Sequence, residues 1–311
     1  MPATVITPTH SPAAARLLVT LSLACCVTFA HAATYIVPTG SDVIGRARQV
    51  VTGAEDTLSD VARRYGVGWE AIKLANPAID PWLPGAGTTV TVPTEFILPN
   101  APRAGLVLNL PEMRLYYYPR VRAGEPPIVT TYPVSIGRMD WATPLGLTQV
   151  IAKVRDPVWR PPASIRAEHA VDGEPLPAVV AAGPDNPLGQ HALRLGIPGY
   201  LIHGTNKPYG IGMRVTHGCV RLYPEDIERL FRYVPQGTAV RIVDQRHKVG
   251  WRNGVLYLES HPPLDEQSAR TLTPAVRAVV AATANHSAQI DWDTVERAAS
   301  EMRGIPVRIS H

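Results

Sequence analysis

Apolar residues change their spacing several times along the chain, and each change marks a boundary between units. Over residues 50–94 two helical patterns sit between strand-like ends. Thr57 precedes Leu58, Val61, Ala62 and Tyr65, which fall at i, i+3, i+4 and i+7, and Gly66 comes directly after them. That spacing predicts a helix with a capped start, one buried stripe and a glycine stop. A second helix is predicted from Trp69 to Ala75, ended by Asn76-Pro77. Pro84-Gly85-Ala86-Gly87 then turns the chain into the strand Thr89-Val90-Thr91-Val92, closed by Pro93. The unit reads strand, helix, helix, strand.

From Gly105 the period shortens to that of strands. Leu106 to Leu110, Arg114 to Tyr118, Val129 to Ile136, Gly146 to Val154, Arg194 to Gly196 and Tyr200 to His203 are β-rich runs punctuated by Gly, Pro and Asn. One strong helix interrupts them. Ile227, Leu230, Phe231 and Val234 recur at helical spacing after Pro224, with Glu225 and Asp226 in the first turn. Gly237 ends that helix and Ala239 to Val243 returns to a strand, so residues 103–244 form a mostly β domain with one main helix. Residues 245–311 open on a hairpin, with Asn253-Gly254 between strand-like arms. Helices near Ala275–Ala282 and Thr294–Glu301 and a last strand at Val307–Ile309 make this a small α+β accessory subdomain without evident chemistry.

Composition changes the picture at three points. The 31 prolines are about twice the usual share, which favours short strands and structured loops over long helices. A net charge of +4 without a dense Lys/Arg block gives no footprint for nucleic acid. The apolar run Leu17 to Ala30 comes after Arg16 and ends at Ala30-His31-Ala32, so residues 1–32 read as a cleaved secretory signal peptide. The run is too short to span a bilayer with ease. A lipoprotein signal ending at Cys25 or Cys26 is the competing reading, although Ser22-Leu23-Ala24 matches it poorly. Two of the three cysteines lie in this leader, and the mature chain keeps Cys219 alone. A solitary thiol outside the cytoplasm is either a reactive group or a buried inert one, and count alone does not choose.

Its neighbours do. The stretch Ile202-His203-Gly204-Thr205-Asn206 is succeeded, after a loop with Gly210 and Gly212, by Thr216-His217-Gly218-Cys219-Val220-Arg221-Leu222. Acyl transfer through a thiol needs a base, because little thiolate exists at neutral pH, and an imidazole nearby can take the proton to leave an ion pair. It also needs N–H donors for the developing oxyanion, and Gly218 permits the close backbone approach that the amides of Gly218 and Cys219 require. His203 ends a strand and can face Cys219 across a returning loop. His217 shares a side with the thiol only if that segment is extended. One thiol and no closely spaced histidine pair fit structural zinc poorly.

These two motifs resemble the signature of the YkuD-type L,D-transpeptidase family. Val134-Ser135-Ile136-Gly137, Thr143-Pro144-Leu145-Gly146 and the strand Arg114 to Tyr118 support the resemblance, which spans residues 103–244. Glu55-Asp56-Thr57-Leu58 with Ala75-Asn76-Pro77 makes residues 50–94 resemble a LysM domain, a binder of N-acetylglucosamine-containing glycans; a simple spacer fold is the bland alternative. The arrangement is similar to the periplasmic branch of the family. The resemblance implies a YkuD-like β-sandwich, a Cys219 nucleophile and His203 as proton acceptor and donor. It implies an oxyanion site at Gly218, supported by His217, Gly204 and Thr216, with Arg221, Asn206 and Thr205 on the substrate side. Arg221 stands where many members have Asn, and either pairs with a substrate carboxylate or braces the loop. Some members have Gln at the position of His217, which weakens it as the essential base.

The implied reaction cleaves the diaminopimelate–D-alanine bond of peptidoglycan tetrapeptide stems. The acyl group passes to an amine, giving a 3–3 cross-link or the attachment of an outer-membrane lipoprotein; transfer to water would make a carboxypeptidase or hydrolase. No metal or cofactor is implied, and the expected partners are stem peptides and glycan strands in the periplasm. Two rivals stand beside this reading: a catalytically silent wall-binding protein, and another cysteine enzyme such as a sortase or endopeptidase, whose spacing fits less well.

Overall fold

The computed structural model describes residues 32–265 and 271–311. Residues 1–31 of the expected leader lie outside them. Ala32 does not: it is buried in the main core, with its amide donating to Asp226 Oδ1 at 3.1 Å.

The β domain is built on one nine-stranded sheet. Its order is Ala33–Ile36, Ile128–Pro133, Arg114–Tyr118, Gly105–Asn109, Ala239–Val243, Gly146–Arg155, His191–Leu195, Leu201–His203 and Val220–Arg221. The long sixth strand explains how one sheet makes the two layers of a sandwich. Its first half pairs with Ala239–Val243, its second half with His191–Leu195, and the register shifts between Val150 and Ala152. A bulge of this kind bends a strand and re-aims its second half. The two limbs close on a shared core in which Leu106, Leu108, Leu115 and Tyr132 meet Leu193, Ile202 and Val220. The helix Pro224–Tyr233 completes it with Ile227 and Leu230, starting on a proline with two acidic residues in its first turn, as its pattern predicts. Each such fully buried aliphatic side chain contributes about 1.5–3 kcal/mol.

In the 50–94 unit, strands Arg48–Val51 and Thr89–Val92 pair antiparallel around helices Leu58–Arg64 and Trp69–Ala75. Thr57 Oγ1 accepts from the Asp60 amide at 3.2 Å, and the Asp60 carboxylate accepts from the Thr57 amide at 3.0 Å, a reciprocal cap. Asn76 ends the second helix because its side chain is buried and turned back: it donates to Ile72 O and Thr91 O and accepts from the Thr91 amide.

In the C-terminal unit the hairpin His247–Arg252/Val255–Ser260 turns at Asn253 (φ 52°) and Gly254 (φ 77°), the two left-handed residues of a type I′ turn. Helices Thr273–Thr283 and Trp292–Glu301 pack on it. A buried cluster ties this unit to the rest. Lys248 Nζ lies 2.8 Å from Glu112 and 2.9 Å from Glu259, donates to Ile97 O at 2.7 Å, and Glu259 also accepts from His261.

Several expectations need correction. A second helix, Ala163–Val171, lies within the β domain, where one was expected. It buries only Ile165, so it has no apolar stripe to read. The run Val129 to Ile136 is two strands, Ile128–Pro133 and Ile136–Gly137, and the second pairs with Arg214–Thr216. Ala33–Ile36, Val43–Gly45 and Glu95–Ile97 are strands too short to show an alternation. Among the described residues no helix is long and apolar enough to cross a membrane.

Candidate active site

Cys219 sits at the entry to the edge strand Val220–Arg221, which runs parallel to Leu201–His203 with Ile202 opposite Val220 and His203 opposite Arg221. That register sets Cys219 diagonal to His203 on one face of the sheet. The half-buried thiol rests against the neighbouring chain: Sγ is 3.6 Å from the Gly199 carbonyl, and the Leu201 amide donates to the sulfur. Gly218, just before it, has φ 95°, and a Cβ there would meet Tyr200 Cε1 at 2.7 Å. Only glycine serves at such a position.

The turn is held by two threonines. Thr216 Oγ1 donates to Cys219 O at 2.5 Å. Thr143 Oγ1 donates to Gly218 O at 2.8 Å and accepts from the Gly137 amide at 3.1 Å. With both carbonyls bound, the two peptide planes on either side of Cys219 are fixed.

His203 is buried, with Nδ1 2.7 Å from Gly204 O and a further ring bond to the Leu188 backbone. A proton donated from Nδ1 to the Gly204 carbonyl leaves Nε2 with a free lone pair. Burial depresses the imidazole to about 4, and the Arg221 charge beside it acts in the same sense. Burial pushes the Cys219 thiol above its ordinary value of 9.0. Both shifts favour the neutral thiol and the neutral imidazole in the empty site.

Arg221 is bracketed by backbone bonds to Ser135 in both directions. Its Nε is buried with no hydrogen-bond partner among the described residues, as is Arg214 Nε. A buried guanidinium nitrogen without a partner, two residues from Cys219, leaves a donor for an acceptor oxygen from outside the chain.

The other candidates divide. Gly204 lies under the site: its amide donates to His191 O at 3.1 Å, and a Cβ there would press on Ile227. Thr205 is buried with Oγ1 accepting from the Lys207 amide, and Asn206 is exposed and donates to Asp185 O. Both are engaged within the chain. His217 turns to the helix Ala163–Val171, 3.3 Å from both Glu168 oxygens, with Trp141 against its ring edge. Glu168 is also paired with Arg138. Glu168 and Tyr200 left no signal in the sequence, since each meets the turn only through tertiary packing. Thr143 and Gly137 were visible within supporting motifs but had no assigned task.

The sequence has counterparts among known proteins. The L,D-transpeptidase catalytic domain, YkuD, matches residues 103–242, and the LysM domain matches residues 51–93. The probable L,D-transpeptidase YcfS of Escherichia coli K12 is 41% identical over 280 residues, 88% of this chain and 86% of its own. The chain belongs to the L,D-transpeptidase family. The probable L,D-transpeptidase YbiS of the same strain is 40% identical over 296 residues, covering 90% of this chain and 93% of its own. Among solved structures, the L,D-transpeptidase from Mycobacterium smegmatis aligns at 22% identity and a TM-score of 0.34, over 48% of this chain and 62% of that one. Family membership makes the chain an enzyme with a LysM domain at its N-terminal side, and a protein of the peptidoglycan.

Proposed function

We propose that the enzyme cleaves the diaminopimelate–D-alanine bond of tetrapeptide stems and passes the acyl group to an amine, with Cys219 as nucleophile and His203 as proton carrier. The observation that carries this is the diagonal pair itself. A half-buried thiol at a glycine turn with bound carbonyls stands one register step from a buried imidazole that stays neutral at pH 7. His203 Nε2 takes the thiol proton as sulfur attacks the carbonyl, and the amides of Gly218 and Cys219 receive the oxyanion. An imidazolium held near 4 is a strong acid, so it readily protonates the departing D-alanine nitrogen. The thioester stays on Cys219. An incoming amine attacks it, His203 takes the amine proton, and the thiolate leaves with the new amide bond complete. The bond energy of the old peptide is kept in the thioester, so no nucleotide is consumed.

Arg221, with its orphaned Nε, is suited to a stem carboxylate, and Gly204, Thr216 and His217 shape the turn rather than react. The LysM domain holds the glycan, the leader directs the chain to the periplasm, and the acceptor is a diaminopimelate side-chain amine or a lysine of a lipoprotein. Incubating the mature protein with muropeptides and analysing them by mass spectrometry tests the reaction. Loss of D-alanine with 3–3 dimers is expected, abolished by Cys219→Ala and cut at least 100-fold by His203→Gln. Tripeptides alone would mean hydrolysis, and unchanged wall chemistry in Cys219→Ala would leave only a binding protein.

A further inference from the structure

The loop that connects His203 to Cys219 does not stand free above the β domain; the LysM domain grips it. The first two amides of the LysM helix Trp69–Ala75 donate to loop carbonyls, Trp69 to Ile211 O at 3.0 Å and Glu70 to Gly212 O at 3.1 Å. Amides at a helix start have no partner inside their own helix, so these donors are satisfied by the catalytic domain. Backbone meets backbone here. Gly212 has φ 89°, and a Cβ on it would come within 2.3 Å of Trp69 N and 2.4 Å of Gly68 Cα. A Cβ on Gly68 would likewise strike Gly212 Cα at 2.8 Å. Met213 packs into the LysM core, Tyr223 Oη reaches Val67 O at 3.4 Å, and Arg63 bonds Glu225 through two contacts of 3.0 and 3.2 Å. A flexibly tethered wall-binding module needs none of this.

The gripped segment leads directly into the reacting groups. Ser135 Oγ donates to Gly210 O at 2.6 Å, and the Arg221 guanidinium lies where a Cβ on Gly210 would be 3.2 Å from Nη2. Met213 O accepts from the Ile136 amide, Arg214–Thr216 pairs with Ile136–Gly137, and Thr216 then bonds the carbonyl of Cys219. We infer that the LysM domain is a positioning part of the active site: through Gly68, Trp69 and Gly212 it fixes the loop that aligns Arg221 and the Cys219 turn. Stem-peptide turnover then depends on the joint even when the substrate carries no sugar for a LysM domain to bind. This rests on the acyl-transfer reading above. It goes beyond it by giving the LysM domain a task other than holding glycan.

The test uses the mature full-length chain with a sugar-free tetrapeptide stem, and separately the alkylation of Cys219 by iodoacetamide, which needs no substrate. Gly212→Ala is expected to lower kcat/KM at least tenfold. Arg63→Ala and Glu225→Ala, milder changes outside the apolar core, should each lower it about threefold, with no further loss when combined. Alkylation should rise at least threefold in these variants as the turn over the thiol loosens. Thr57→Ala is the control: it removes the cap of the neighbouring LysM helix, lowering the melting temperature without touching the joint. It should leave turnover and alkylation within twofold of wild type. Joint variants that turn over and alkylate like wild type would overturn the inference. So would a Thr57→Ala loss equal to theirs at equal melting temperature. A wild-type chain inactive on the stem would sink the acyl-transfer reading instead, and the alkylation rates would still decide the joint.

Discussion

The resting state of the Cys219–His203 pair yields the sharpest prediction, with pH as the perturbation. The imidazole sits near 4 and the thiol above 9.0, both because burial disfavours their charged forms. Both shifts oppose moving the proton from sulfur to nitrogen in the empty site, so the neutral thiol and imidazole predominate there. Two measurements test this. The rate of Cys219 alkylation by iodoacetamide, tracked by intact mass from pH 5 to 10, should climb with an inflection above pH 9 and show no plateau near neutrality. Stability should carry the second signature. The unfolded imidazole takes up its proton near 6.5 and the folded one only near 4, so stability is full above 6.5 and is lost on acidification through that window. The loss amounts to about 3 kcal/mol for His203, visible in the urea unfolding of wild type and missing from that of His203→Gln. His247, also depressed to about 4 by burial, adds to the wild-type slope and remains in the variant. An alkylation inflection below pH 7 would refute the reasoning: it would mean a thiolate–imidazolium pair at rest, and burial would not be the governing influence.

Other expectations rest on single contacts. Gly218→Ala combines a left-handed backbone with a Cβ 2.7 Å from Tyr200, so kcat should fall at least 100-fold, with about 1–3 kcal/mol lost in denaturant unfolding. Asp226 is buried and pushed up to about 7, so the folded chain holds its proton between the ordinary 3.8 and that value while the unfolded chain does not. Asp226 alone should thus contribute a loss of roughly 4 kcal/mol as pH rises through this range, opposing the His203 and His247 contributions. Asp226→Asn, which keeps an acceptor for the Ala32 amide, should remove it and steepen the net gain of stability with pH. Lys248→Met removes the cation shared by Glu112 and Glu259, leaving Arg114 3.8 Å from Glu112 and His261 beside Glu259, and a loss of about 3 kcal/mol is expected by chemical denaturation at pH 7.

Local features were legible where neighbours in sequence are neighbours in space. The Thr57 cap, the Leu58-Val61-Ala62 stripe and the Asn253-Gly254 turn depend on spacings of a few residues, and each formed as read. The helix Pro224–Tyr233 announced itself by a stripe that the core then buried. Where a segment is held by distant partners the pattern was mute. The helix Ala163–Val171 has one buried apolar residue and is held to the turn by Glu168, 49 positions from His217. Ala32, read as the end of the leader, is claimed by the core through Asp226, 194 positions away.

The same division runs through the chemistry. The residue types at 203 and 216–221 by themselves specify a thiol, an imidazole and a glycine turn, because those are what the reaction requires and few other tasks demand all three. Their spacing says nothing about how much water surrounds them. Only the folded sheet, with Leu201–His203 beside Val220–Arg221 under packed side chains, removes the solvent that would have charged the pair. Only the packed domains bring Trp69 to Gly212, and so make a module that reads as separate in the chain part of the loop that carries the thiol. Desolvation and long-range backbone contact arise from the whole assembly, and no local pattern of side chains encodes them.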